Sequence, residues 1–198
     1  TPSDLPKNRA LQYTAANENA VYFKALGESF EGYLVQLDDE GTVQERTPLP
    51  GAHWRHAGLL RFWGDSLLSL SGFRPVVDVL TPGQALDTLV LSGFDSPMLP
   101  RSRLFMLGET SDAPLLSASA APAGDLLFLL NMRPGWLRID AYDHTGTLRH
   151  ILTQPDPAFN KEYYPTDLAV RQVEPGTFEF AVILLKPEPR LDRFRWTR

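Results

Sequence analysis

Two histidines in the segment "HWRH", His53 and His56, have a spacing that could hold a metal ion on one helical turn. No glutamate lies inside the motif, as it would in a zinc protease, and the surrounding residues predict a loop before a strand. We therefore predict no metal and no cofactor here. His53, Trp54 and His56 are instead candidate binding residues on a surface loop.

Acidic residues are the next candidates for chemistry, namely Asp38, Asp39, Glu40, Asp140 and Asp143. Asp38, Asp39 and Asp143 lie beside predicted hairpin turns, where carboxylates commonly accept hydrogen bonds from the turn backbone. We interpret these three as solvated turn residues rather than as catalytic groups.

Two further aspartates, Asp78 and Asp192, interrupt the strand-like runs "VVDVL" and "RLDRF". A charge inside a strand either faces solvent or is paired, and we expect both carboxylates to face solvent. His144 and His150 flank a predicted turn, and we expect them at a polar loop tip.

Motifs for nucleophilic or phosphate chemistry are missing from the sequence. It has no G-x-S-x-G elbow, no S-x-x-K, no glycine-rich phosphate loop and no G-x-G-x-x-G. It also has no cysteine, so disulfides, thiolate metal sites and a cysteine nucleophile are excluded. These absences favour a non-catalytic protein without excluding catalysis.

Aromatic residues outside the predicted core could anchor a protein partner, because Trp and Tyr dominate interface hot spots. Tyr163 and Tyr164, in the loop "NKEYYP", and Trp54 are the ones we expect to be exposed. Carbohydrate or another small molecule is a further ligand class that exposed tryptophans would fit.

Charge argues against a nucleic-acid partner, since the net charge is -5 and such a partner demands a basic stripe. The locally basic "RLDRFRW" is predicted to be a strand with two faces. Leu191, Arg193 and Arg195 would lie on one face, and Asp192, Phe194 and Trp196 on the other.

The elements that position these residues follow a repeated plan. Glycines 41, 83 and 146 each sit in a polar turn between two strand-like runs, as expected of a hairpin that needs a positive φ. They are 42 and 63 residues apart. A unit near 42 residues fits one four-stranded propeller blade, and the longer spacing fits a unit plus an insertion.

We predict one all-β domain over residues 1–198, with units at about 9–50, 51–93, 113–155 and 164–198 and an insertion at 92–113. In the second unit the strands are 59–63, 66–71, 75–80 and 85–91; an amphipathic helix over 58–70 is disfavoured by Gly64-Asp65. Within the insertion, "RLFML" is predicted as a short strand or a hydrophobic plug. The fourth unit shows three strands.

The stretches "YYPTDLAVR", "PGTFEFAVI" and "PRLDRF", and "GDSLLSLSGFRPVVDVLTPGQALDTL", resemble the pattern of NHL-type six-bladed β-propellers. The resemblance implies a β-propeller or partial propeller, and the repeat spacing predicts about four blades, each a four-stranded antiparallel sheet, where such families usually show six. Propeller hydrolases such as gluconolactonases hold a divalent cation with Glu, Asn and Asp from different blades. A β-sandwich is the alternative fold, because many short strands at regular spacing also suit it.

The favoured interpretation is a binding or assembly module with a protein partner, using inter-strand loops at His53–His56, 92–113 and 159–164. The alternative is a metal-dependent, lactonase-like hydrolase. No apolar run is long enough to span a membrane. The start at Thr1 fits a removed signal, and hence a periplasmic or secreted protein, but equally a removed tag or a segment of a longer protein.

Overall fold

The computed structural model describes residues 10–81, 84–133, 135–154, 164–186 and 188–198. Within these ranges the chain forms fifteen β-strands, one α-helix and one short 3₁₀ helix. The predicted all-β class is therefore confirmed. Gly83 and Tyr163 lie outside the described residues.

The strands form four antiparallel sheets, in each of which spatial order follows chain order. Sheet 1 contains β1 (Ala10–Ala16), β2 (Val21–Leu26), β3 (Gly32–Leu37) and β4 (Val43–Leu49). Sheet 2 contains β5 (Leu59–Trp63), β6 (Ser66–Leu70), β7 (Val76–Leu80) and β8 (Asp87–Val90). Sheet 3 contains β9 (Ser117–Ala123), β10 (Leu126–Asn131), β11 (Arg138–Tyr142) and β12 (Leu148–Thr153). Sheet 4 contains β13 (Tyr164–Glu174), β14 (Thr177–Lys186) and β15 (Arg190–Thr197).

Each sheet is a meander because short polar turns join neighbouring strands. Gly41 and Gly146 have φ of 81° and 77°, as the hairpin prediction requires. The predicted strands of sheet 2 are confirmed, and no predicted strand end differs from the observed end by more than two residues. The alternative helix over 58–70 is excluded, because β5 and β6 occupy those residues. Sheet 4 has three strands, as the sequence predicts.

The prediction for residues 103–107 is wrong, because "RLFML" is neither a strand nor a plug. It lies at the end of α1 (Leu99–Met106) and continues into Leu107, which is 66% exposed. Pro100 stands in the first turn of α1, and Gly108 follows the last turn with φ of 75°. These two residues are ordinary start and stop signals for a helix.

The described residues divide into two compact units, drawn from Thr1–Ser71 with Val77–Thr88 and from Gly72–Val76 with Leu89–Arg198. In unit 1, the inward residues of sheets 1 and 2 form a core that includes Tyr22, Leu60 and Leu67. In unit 2, Phe128 contacts the rings of Phe178 and Phe180 edge-on at 5.0 Å, within the core shared by sheets 3 and 4. Each core is therefore made by alternate residues of adjacent sheets.

Candidate functional site

The segment His53–His56 forms the 3₁₀ helix of unit 1, and a buried ion pair fixes it to sheet 2. Arg55 Nε and Nη2 donate to the two carboxylate oxygens of Asp78 at 3.1 and 2.9 Å. The expectation that Asp78 faces solvent is wrong, because its side chain is 0% exposed and its charge is paired. A bidentate arginine pair of this kind fixes orientation as well as position.

His56 points into unit 1 and anchors the same helix from its other end. The residue is fully buried, and its Nε2 lies 2.8 Å from the carbonyl oxygen of Pro50. Its Nδ1 is buried and has no hydrogen-bond partner among the residues that the structure describes. Burial lowers the pKa of His56, since a proton on Nδ1 would find no acceptor.

His53 is exposed while His56 is buried, so the two imidazoles do not converge on one metal ion. Among the residues that the structure describes, no three His, Cys, Asp or Glu side chains are grouped so that they could hold one. The geometry of the described part of the chain therefore gives the cation-dependent hydrolase no support.

An exposed phenylalanine that the sequence reading missed lies beside this helix. Phe30 is 51% exposed, and its ring centroid is 5.7 Å from that of His53. It stands in the turn between β2 and β3, where its amide donates to the Gly27 carbonyl at 3.2 Å. Its φ of 66° is unusual for a bulky residue. An isolated aromatic in the polar turn "GESFEG" was the available sequence signal.

Phe30, His53 and the half-buried Trp54 together make what we call the aromatic surface of unit 1. Arg55 and His56, from the same short helix, face inward and hold its backbone in place. Exposure therefore falls along this short helix, from the exposed His53 through the partly buried Trp54 and Arg55 to the fully buried His56.

A lysine-serine pair inside unit 1 is the nearest arrangement to a nucleophile with a base. Lys24 Nζ donates to Ser69 Oγ at 3.1 Å and to the Leu59 carbonyl at 3.4 Å. Burial lowers the pKa of Lys24 to about 7, although Asp78 partly opposes the shift. Lys24 and Ser69 are 0% and 1% exposed, so a substrate has no route to the hydroxyl. The pair is an internal polar contact.

In unit 2, a second buried network surrounds Asp140. Arg138 Nε donates to Asp140 Oδ1 at 2.7 Å, and Asn131 Nδ2 donates to Asp140 Oδ2 at 2.6 Å. Arg138 and Arg133 also donate to the carboxylate of Asp95, at 3.3 and 2.6 Å. The network thus ties the segment before α1 to sheet 3, and these hydrogen bonds hold the pKa of Asp95 below its usual range.

The turn carboxylates behave as the sequence predicts. Asp38 accepts hydrogen bonds from the amide of Thr42 at 2.7 Å and from Gln44 Nε2 at 2.6 Å. Asp143 accepts from the hydroxyl and amide of Thr145, among other groups of its turn, and these bonds lower its pKa. Both carboxylates therefore accept hydrogen bonds from groups of their own turns.

The remaining candidates are scattered. Tyr164 is 42% exposed at the start of β13 in unit 2. Asp192 is 28% exposed and pairs with Arg190 at 3.1 Å. His144 is exposed at the turn, whereas His150 lies in β12 with its ring 4.9 Å from that of Trp196. No described residue range contains a helix long and apolar enough to cross a membrane.

Comparison with known proteins identifies a fold rather than a family. No family model and no curated protein matches the sequence. A streptogramin B lyase structure matches with TM-score 0.56 and 12% identity, over 96% of this chain and 56% of that one. A prolyl endopeptidase structure matches with TM-score 0.50 and 15% identity, over 89% and 23%. The WD40 domain of Toxoplasma gondii coronin gives TM-score 0.43 and 12% identity, over 98% and 61%.

The chain is therefore an all-β partial propeller, loosely similar to propeller-type proteins. It spans 56% of the length of the streptogramin B lyase structure that it matches. At 12% and 15% identity, the likeness to the streptogramin B lyase and prolyl endopeptidase structures shows the fold alone. Fold does not decide function, so function must be argued from the side chains.

Proposed function

We propose that the chain is a protein-binding module whose recognition site in unit 1 is the aromatic surface of Phe30, His53 and Trp54. The observation that carries this proposal is the conformation of Phe30, which exposes half of its ring at a φ of 66°. A bulky residue in that region costs about 1–3 kcal/mol, and such strain concentrates at functional sites.

The surface is also preorganised. The Phe30 ring contacts the His53 ring at 5.7 Å, and the helix that carries His53 is fixed by the Arg55–Asp78 pair. Rigid aromatic groups lose little conformational entropy when a partner binds, which favours affinity. Exposed aromatics on a fixed backbone are the typical anchors of protein interfaces.

Glycine substitution at position 30 separates binding from folding. Phe30→Gly removes the ring and accepts a positive φ without strain, so we expect unchanged or raised thermal stability together with loss of the partner. Quantitative affinity capture from the source cells, comparing the native sequence, Phe30→Gly and Trp54→Ala, measures this loss. We expect at least one captured protein to fall by about tenfold or more in both variants.

Ile151→Ala provides a matched control, because Ile151 is 52% exposed but lies on β12 in unit 2, outside the loops that the sequence analysis assigns to a partner. It should capture the same proteins as the native sequence. Identical capture profiles for all four proteins would rule out the aromatic surface as the recognition site. Tyr164→Ala tests separately whether unit 2 contributes, as the sequence analysis predicts.

A further inference from the structure

The outward face of sheet 4, in unit 2, carries a groove that no role described above uses. The groove is about 630 Å³ and is lined by residues 169–171, 179–181 and 193–195, one stretch from each strand. The side chains at the floor of the groove are small, because Ala169 pairs with Ala181. Ala181 in turn pairs with Arg193 on the third strand. The opposite face of the same sheet is the core face, which carries Phe178 and Phe180.

Arginines line this groove in a chain whose net charge is -5. Strand register places Arg171, Glu179 and Arg195 side by side across the three strands. Arg171 Nη2 and Nε both donate to Glu179 Oε2, at 2.6 and 2.9 Å, so the charge of Glu179 is already neutralised. Arg195 pairs with Glu174 at 3.5 Å, with both side chains more than half exposed, and the charges of Arg195 and Arg193 add to that of Arg171 in lowering the pKa of Glu179.

Arg193 is exposed and makes no salt bridge with any residue in the described part of the chain. Exposed pairs such as Arg195–Glu174 contribute little, because water solvates both partners. Arg193 and Arg195 can therefore bind carboxylates from another molecule. They lie two residues apart on β15, on the same face of the sheet.

An aliphatic patch adjoins the arginines on the same face. Ile183 and Leu191 are directly paired and are 43% and 51% exposed, and Leu185 is 51% exposed. A ligand that matches the whole face must therefore carry negative charge beside aliphatic side chains. Nucleic acid supplies the first of these features but not the second.

We propose that this face of sheet 4 binds an acidic segment of a partner protein, with carboxylates on Arg193 and Arg195 and aliphatic side chains on Ile183 and Leu191. The charge of the groove and the apolar patch together select this chemistry. The surface is independent of the aromatic surface of unit 1.

Fluorescence anisotropy with a labelled ten-residue peptide of alternating Glu and Leu tests the proposal. We expect saturable binding that weakens at least tenfold in Arg193→Gln/Arg195→Gln and when NaCl is raised from about 50 to 500 mM. Ala169→Glu, which places a carboxylate on the groove floor, should weaken binding similarly. Phe30→Gly should bind the peptide as the native sequence does, so this result stands or fails separately from the proposed function.

Arg190→Gln is the matched control, since Arg190 lies on the same strand, faces the other way in the alternation and pairs with Asp192. It should change the affinity less than twofold, with circular dichroism confirming that all variants fold. Equal loss in Arg190→Gln, or no binding at millimolar protein, would overturn the proposal. The proposal would also be overturned if a Lys-Leu peptide or a ten-residue oligothymidylate bound as tightly as the Glu-Leu peptide. A salt-sensitive self-association of the protein that Arg193→Gln/Arg195→Gln abolishes would overturn it as well, because the face would then bind a second copy of the chain.

Discussion

Two aspartates occupy matching places in the two most similar repeats, Asp78 in unit 1 and Asp140 in unit 2. Both are 0% exposed, and both lie on the third strand of their sheets, after "FRPVV" and "MRPGWLRI". Their cations differ in origin. Asp78 is bound by Arg55 from a loop 23 residues away, whereas Asp140 is bound by Arg138 two residues before it on the same strand.

The difference shows how a repeated sheet acquires distinct loops. In each unit, the sheet supplies a buried carboxylate, and the network around that carboxylate fixes a neighbouring segment. In unit 1 that segment is the 3₁₀ helix with His53 and Trp54, held directly by Arg55. In unit 2 it is the segment before α1, held through Asp95. Which segment is fixed to the sheet thus depends on which arginine pairs with the buried aspartate.

The largest effect is expected from Asp140→Ala. The substitution takes the Asp140 carboxylate away from the fully buried Asn131 and from Arg138, which is 7% exposed and keeps only its longer 3.3 Å contact with Asp95. Removing one partner of a buried ion pair typically costs about 3–5 kcal/mol, because the remaining charge stays desolvated. Urea unfolding measures the loss.

Asp125→Ala is the control for Asp140→Ala, because it removes a turn carboxylate that is 57% exposed and pairs with Arg198 at 3.0 Å. We expect it to cost less than about 1 kcal/mol. Similar losses in the two variants would contradict a buried network that stabilises unit 2.

Lys24 should make the stability of the protein depend on pH, which distinguishes the buried network of unit 1 from that of unit 2. Burial lowers the pKa of Lys24 from 10.5 in the unfolded chain to about 7, although the negative charge of Asp78 partly opposes this shift. The other charged or titratable groups nearby are Arg55 and His56. Between these values the unfolded chain binds more protons, so stability rises with pH, by up to about 1.4 kcal/mol per unit for one proton. Below about pH 7 the cost of charging Lys24 is fully present.

Lys24→Met should remove that rise. Urea unfolding of both proteins at pH 7.5 and 9.5 gives the difference directly, because other titrating groups are shared. We expect the native sequence to gain about 1–3 kcal/mol more than the variant over this interval. Parallel pH profiles would show that Lys24 is already charged in the folded state or is hydrated there.

Asp78→Ala should cost less than Asp140→Ala, about 1–3 kcal/mol. Arg55 is 24% exposed and can turn to water, and Lys24 can lose its proton. Because the 3₁₀ helix loses its ion pair, we also expect a shift in Trp54 fluorescence. Asp39→Ala, at the exposed β3–β4 turn, should change neither stability nor fluorescence. A larger loss than that of Asp140→Ala would reverse the ranking of the two networks.

Sequence periodicity predicted the sheets because alternation and turn glycines are local signals. The ends of β5 matched, and Leu191, Arg193 and Arg195 share one face of β15 as predicted. Asp78 was misjudged because its partner, Arg55, is brought close only by tertiary structure. Helix α1 was missed although Pro100 and Gly108 marked its ends, since its apolar residues suggested a strand.

The site was less predictable than the sheets for a related reason. The sequence singles out His53, Trp54 and His56 as one group, but backbone geometry turns His56 inward. Phe30 joins His53 only because the β2–β3 turn adopts a positive φ, which no residue preference would assign to phenylalanine. Local pattern thus locates strands, whereas side-chain direction in short irregular segments depends on contacts distant in sequence.

The smallest effect concerns the position two residues after each buried aspartate, Leu80 in unit 1 and Tyr142 in unit 2. The Tyr142 hydroxyl is buried and makes no hydrogen bond of good geometry to the described residues, and burial together with the nearby charge of Asp140 raises its pKa. Tyr142→Phe removes a buried polar group without a well-formed hydrogen bond, so stability should stay the same or rise by up to about 1 kcal/mol in urea unfolding.

Tyr142→Leu, which installs the residue of unit 1, should instead lose about 1–3 kcal/mol, because it leaves a cavity in a closely packed core. The pair of variants separates the role of the hydroxyl from that of the ring. A loss above about 1 kcal/mol in Tyr142→Phe would mean that the hydroxyl is satisfied, by a buried water for example. The Asp140 network would then extend past Arg138 and Asn131 along β11, and the two repeats would differ in the size of their buried networks as well as in the origin of the cation.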